Sequence, residues 1–167
     1  MGVKHKTIKN DFPSMVKRIE ALDGEGVEVG VFKGEHAWLA SIHEYGCNIP
    51  VTPKMRKFLA AKGLHLKKST SHIKIPERSF LRTGYDTNRD AVIRKAGLLI
   101  ADVVAGNMSA DGCLKGVGLE LSSKIKDYAT DLSSPGNHPF TMSEKGSSNP
   151  LVDTGNMIGG ITWRKAK

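Results

Sequence analysis

A chain of 167 residues suits one domain around one core. Its 25 Lys and Arg against 17 Asp and Glu leave it at +8, and seven of the basic residues (Lys54, Arg56, Lys57, Lys62, Lys67, Lys68, Lys74) crowd into residues 52–75, where no acidic residue stands. Such a local excess points to an electronegative partner, and the lack of an apolar run of about 18 residues excludes a membrane-spanning helix.

The first ten residues are basic but lead into no apolar run, so no signal peptide is expected there. Asn10 or Asp11 is the cap of a short helix in which Phe12, Met15, Val16, Ile19 and Leu22 recur at helical spacing, and Gly24 stops it. Residues 27–32 alternate, with Val27, Val29 and Val31 on one face, which predicts a strand. Lys33-Gly34 makes a turn. A second helix over 35–45 carries Trp38, Leu39, Ile42 and Tyr45 on one stripe, and Gly46 suits its end because it tolerates positive φ.

Thr52-Pro53 reads as an N-cap followed by Pro at the first helical position. A short helix then runs to Gly63 with Met55, Phe58 and Leu59 inward. Residues 64–66 and 73–75 flank a polar turn and are expected to pair as a small hairpin that lifts the lysines into solvent. The longest helix is expected over 87–105, started by Asp86 or Thr87, with Ala91, Val92, Leu99 and Val103 on its apolar face and Gly106 at its end. Asp111 is the candidate cap of a further helix bearing Leu114, Val117, Leu121, Ile125, Tyr128 and Leu132. Residues 133–149 are rich in Ser, Pro, Gly and Asn and read as a long flexible loop. Residues 151–163 regain apolar content, and Ile158, Ile161 and Trp163 predict a final strand or hairpin, with Gly155 or Gly159-Gly160 as a turn or bulge.

These elements predict an α+β domain spanning 1–167: a small, mainly antiparallel sheet packed against two long helices, with a basic helix-hairpin insertion at 52–75.

Reaction chemistry finds little support. Asp153-Thr154-Gly155 mimics the aspartic-protease tripeptide, whose chemistry needs two carboxylates sharing a proton. Asn156 replaces the small residue usual after it, so an Asx-type turn into the last strand is the expected role. His43 and Cys47 stand four apart, but Gly46 breaks the helix between them and no second ligand pair exists. There is no GxSxG, Walker A or GxGxxG pattern. No catalytic residue, cofactor or metal ligand is expected. Cys47 and Cys113 are expected to be free thiols. Lysines in the basic segment suit phosphates, which carry no sequence information. With Phe58 as its only aromatic it is a poor platform for single strands, and its helix offers only Arg56 toward bases. A solvated face, an acidic protein ring and nonspecific duplex DNA all stay open as its use.

One further observation is an order of motifs. The strand at 27–32 is followed by a helix ending His43-Glu44-Tyr45-Gly46, then by Ile75-Pro76-Glu77-Arg78-Ser79-Phe80-Leu81-Arg82, by long amphipathic helices, and by Pro150-Leu151-Val152-Asp153-Thr154-Gly155-Asn156-Met157. This order resembles a phage tail-completion and head–tail joining family, the minor tail protein Z-like or virion morphogenesis proteins. Two departures stand out: Ser79 takes the place of a second proline, and the basic segment separates motifs that relatives place close together. The resemblance implies a structural virion protein and not an enzyme: a homo-hexameric ring in the tail neck, assembled in the host cytoplasm. Its implied partners are a tail terminator or tail tube protein, head–tail connector or adaptor proteins, and genomic DNA passing through the lumen, with no membrane. His43, Glu44, Tyr45, Arg78, Phe80 and Arg82 would then be inter-subunit or structural residues, with Glu44 a candidate partner for Arg78 and Arg82. The alternatives are a tail terminator, or a nonspecific DNA-binding protein using residues 52–75.

Overall fold

Two long antiparallel helices set the frame of the computed structural model, which describes residues 11–166. The basic segment 1–10, with Asn10 as a cap, lies outside the described residues. The helices are α4 (Phe80–Ala105) and α5 (Ala110–Asp131). Their seam closes because small residues face large ones: Gly84 lies against Tyr128 and Ile125, and a Cβ on Gly116 would come within 2.8 Å of Leu99. Gly106, at φ 83°, ends α4 in the left-handed conformation, and the Ser109 hydroxyl accepts from the Gly112 amide at 3.1 Å to start α5. The cap is therefore Ser109, two residues before the expected Asp111.

The remaining elements cover this pair. Along α1 (Phe12–Glu20), Arg18 reaches α4 and donates to the Val104 carbonyl through Nε and Nη2 at 3.2 and 2.9 Å, a cation at a helix C-terminus. Strand β1 (Val27–Gly30) pairs antiparallel with β4 (Thr162–Lys165), Val29 opposite Trp163. This ribbon lies on α5 at Gly118, where any Cβ would overlap the indole of Trp163. The core joins Phe80, Val92, Leu121, Ile125, Ala129, Leu151, Met157, Ile158 and Ile161 to Ala40 of α2 (Gly34–Tyr45). A smaller cluster of Leu99, Val103 and Cys113 fills the far end.

Several expectations are corrected. The α+β class holds, but the strands form two separate two-stranded antiparallel ribbons. The first strand stops at Gly30, and the segment expected as a final strand contains a short helix, α7 (Asn156–Gly159), before β4. Helix α4 begins at Phe80, well before Thr87, because its cap comes from another element. The expected hairpin does not form. Strand β3 (His72–Ile75) pairs instead with β2 (Cys47–Pro50), Cys47 opposite Ile75 and Pro50 opposite His72. The helix α3 (Pro53–Ala61) therefore sits at the tip of a ribbon arm, capped by Thr52, whose hydroxyl accepts from the Met55 amide at 3.1 Å. The expected long loop contains α6 (Pro139–Lys145), bounded by His138, whose ring accepts from the Phe140 amide, and by left-handed Gly146.

Candidate functional site

The two motifs His43-Glu44-Tyr45-Gly46 and Ile75 to Arg82 meet in one corner. Gly46 makes this possible: it adopts φ 71° and ψ 169°, a region essentially reserved for glycine. The Ile75–Glu77 backbone also passes so close that a Cβ would lie 2.9 Å from the Glu77 nitrogen. The turn delivers Glu44, only 3% exposed, to the start of α4. Its carboxylate accepts from the amides of Leu81 (2.8 Å) and Arg82 (3.1 Å) and from Arg82 Nε (2.9 Å). Ser79, at the cap position, makes no side-chain bond to the helix amides, so Glu44 caps α4 from outside it. Arg82 Nη2 also donates to the Glu44 carbonyl (2.9 Å) and to Glu77 Oε1 (2.7 Å), and the guanidinium lies 4.8 Å over the Tyr45 ring. The hydrogen bond to Glu44 first, then that to Glu77, raises the Arg82 pKa further.

Arg78 takes a different set of partners. It is 3% exposed. Its Nε donates to the Pro135 carbonyl (2.7 Å), and its Nη2 donates to the Gly136 carbonyl and Asn137 Oδ1, both at 3.0 Å. Its Nη1 lies 3.2 Å from His43 Nδ1, and its amide donates to the His43 carbonyl at 2.7 Å. Among the described residues Arg78 thus pairs with no carboxylate, contrary to expectation: Glu44 and Glu77 both belong to Arg82. Burial pushes the Arg78 pKa down. His43 falls to about 4, through desolvation first and then the Arg78 and Lys145 charges. At neutral pH the ring is therefore uncharged and accepts the Arg78 hydrogen bond at Nδ1.

The same anchor organises the segment expected as a flexible loop. Lys145 Nζ donates to the carbonyls of Asn149 and Val152, and Asn149 Oδ1 accepts from the amides of Leu151 (2.9 Å) and Val152 (3.0 Å). Asn137, Lys145 and Asn149 were not singled out by sequence reasoning. The only local signal is the Asn149-Pro150 pair, a common turn start. Phe80 is fully buried in the core beside this corner.

The basic arm divides. Lys54, Lys57, Lys67, Lys68 and Lys74 are exposed and make no ion pair among the described residues, whereas Lys62 pairs with Glu144 of α6 at 3.2 Å. Arg56 turns inward: Nη1 donates to the carbonyls of Leu66 (3.1 Å) and Lys67 (2.9 Å), and Nη2 to that of Thr70 (2.7 Å). Expected to face a partner, it is a strut of the arm. Phe58, expected inward, is 61% exposed, while Met55 and Leu59 are half-buried.

Elsewhere, Thr154 Oγ1 accepts from the Asn156 amide and Gly155 caps α7, so Asp153-Thr154-Gly155 turns into a helix and not a strand. Cys47 and Cys113 are free, and burial raises the Cys113 thiol pKa. Among the described residues no group of three or more His, Cys, Asp or Glu is placed to hold a metal. No family model, curated protein or solved structure matches this chain.

Proposed function

We propose that the chain is a structural virion subunit: a tail-completion protein whose identical copies close into a hexameric ring joining a phage tail to the head connector. The observation that carries this reading is a pair of apolar faces that the described residues leave largely exposed on different helices. On α2, Trp38 and Tyr45 stand two turns apart on one stripe and are 68% and 66% exposed. On α4, Ile93 and Ile100 repeat the spacing at 54% and 44%. A cyclic ring joins two different patches of one subunit head to tail, and two such faces supply them. The motif order supports the same reading, and the corner that holds the motifs sets the α2 face at a fixed angle to α4. A tail terminator is a variant of this reading with the same geometry.

Light scattering and electron microscopy of the purified chain test it. Six-fold rings are expected, and Trp38→Glu should reduce them to monomers with an unchanged circular dichroism spectrum. A wild-type chain that stays monomeric at all concentrations, with no affinity for tail or connector assemblies, would overturn the proposal.

A further inference from the structure

We propose that the tip of the ribbon arm docks on the phosphate backbone of double-stranded DNA, without reading its sequence. The inference stands on the arm alone and is independent of ring closure.

Helix α3 has two faces. Met55, Arg56, Leu59 and Ala60 are half-buried, and Lys54, Lys57, Phe58 and Ala61 are exposed. The Arg56 fork fixes the carbonyls of Leu66, Lys67 and Thr70. It thereby sets the Lys67-Lys68 turn in one conformation beside α3. Lys54 and Lys57 on α3 and Lys67 and Lys68 on the turn it holds are thus exposed ammonium groups with no ion pair among the described residues, on an arm whose helix has no buried residue of its own. Lys74 adds a further charge on β3.

Charge density matches the proposed ligand. Nine helical residues span about 13 Å. A duplex of that length carries about eight phosphates, more than enough for five lysines. The composition disfavours other polyanions. Protein interfaces are depleted in Lys and rely on Arg, Tyr and Trp anchors, but the one arginine here is engaged internally. Single strands need several stacking aromatics, and Phe58 stands alone. No Asn, Gln or free Arg on α3 is placed to read bases, so the contact is to phosphates.

The test is fluorescence anisotropy of the full chain with a duplex of about 30 base pairs, across a salt titration. The logarithm of affinity should fall with the logarithm of salt at a slope of about −4, and Lys67→Ala with Lys68→Ala should flatten that slope by about 2. A control, Lys95→Ala with Lys115→Ala, should leave the slope unchanged, and thermal melts of both variants should show intact folds. A flat salt response, equal slopes in the two variants, or tighter capture of single-stranded DNA, an RNA duplex or polyglutamate would overturn the proposal. Light scattering on the same samples separates the two readings: loss of rings with duplex binding intact removes only the ring.

Discussion

Glu44 holds Arg82 twice, by its amide at 3.1 Å and by its Nε at 2.9 Å, and so one buried carboxylate both caps α4 and fixes the side chain that shields it. Two motifs become one structural unit through this pair, whose members lie 38 residues apart. Glu44→Ala strips the cap and leaves two helix amides and Arg82 Nε without an acceptor. It should cost about 2–3 kcal/mol. Glu44→Gln keeps one acceptor and should cost roughly half of that. Urea unfolding of the two variants checks the order, and a neutral Glu44→Ala would contradict the capping role.

Arg78 should tolerate no conservative replacement. A lysine ammonium in its place cannot reach the Pro135 and Gly136 carbonyls and Asn137 together, because it lacks the planar fork. Arg78→Lys is expected to cost about 2 kcal/mol. Hydrogen exchange should accelerate across 135–152 more than in α5. Uniform acceleration through the whole chain would argue against a local anchor.

His43 makes stability depend on pH in one window. Its folded pKa of about 4 lies below the ordinary 6.5, so between those values the unfolded chain binds the extra proton. This contribution to stability is complete above about pH 6.5 and is lost as the pH falls toward 4, by a total on the order of 2 kcal/mol after solvent screening of the partly exposed ring. His43→Gln preserves an acceptor for Arg78 and should remove that part of the slope. Urea midpoints measured near pH 7 and pH 4.5 decide the matter. Wild type and variant losing stability in parallel would count against it.

Two glycines with similar φ should respond differently to alanine. Gly24, at φ +70°, has nothing within 4 Å of an added Cβ, whereas Gly46, at φ +71°, would meet the Glu77 nitrogen at 2.9 Å and the Ile75 carbonyl at 3.0 Å. Gly24→Ala should cost about 1 kcal/mol and Gly46→Ala about 3 kcal/mol. Thermal melts of both variants give the comparison. Equal shifts would mean that backbone conformation, and not the crossing, sets the requirement at Gly46.

The arm should loosen without unfolding the domain. Arg56→Ala removes three bonds to the 66–70 turn, yet no residue of α3 is buried, so the global unfolding midpoint should move by less than about 0.5 kcal/mol. Amide exchange at 64–70 should rise sharply. A large drop in global stability would show that the arm is part of the core's cooperative unit.

Some of this molecule was legible before its folding was known. Helical periodicity located α5 and the body of α4, because an apolar face repeating every three to four residues has few other uses. Thr52-Pro53 marked the start of α3, and Gly46 and Gly106 marked helix ends, since those signals act within one turn of chain. The charge excess at 52–75 was likewise a matter of composition.

The elements that were misread depend on partners distant in sequence. Residues 73–75 have strand propensity, but propensity does not choose a partner, and 47–50 won because it lies beside them once Gly46 turns the chain. The start of α4 moved forward because Glu44 supplies its cap from another helix. The loop at 133–149 looked mobile because it has almost no apolar residues, and it is held by Arg78 and Lys145 through carbonyls and by Asn149 through amides, backbone groups that no sequence pattern displays. Arg56 and Phe58 exchanged their expected positions for a related reason: whether an arginine meets solvent or carbonyls is settled by where the chain returns. The sequence alone determined periodicity, turn chemistry and charge, all set by near neighbours. Only the tertiary structure decided pairing, capping and burial, because these depend on which distant groups share a space.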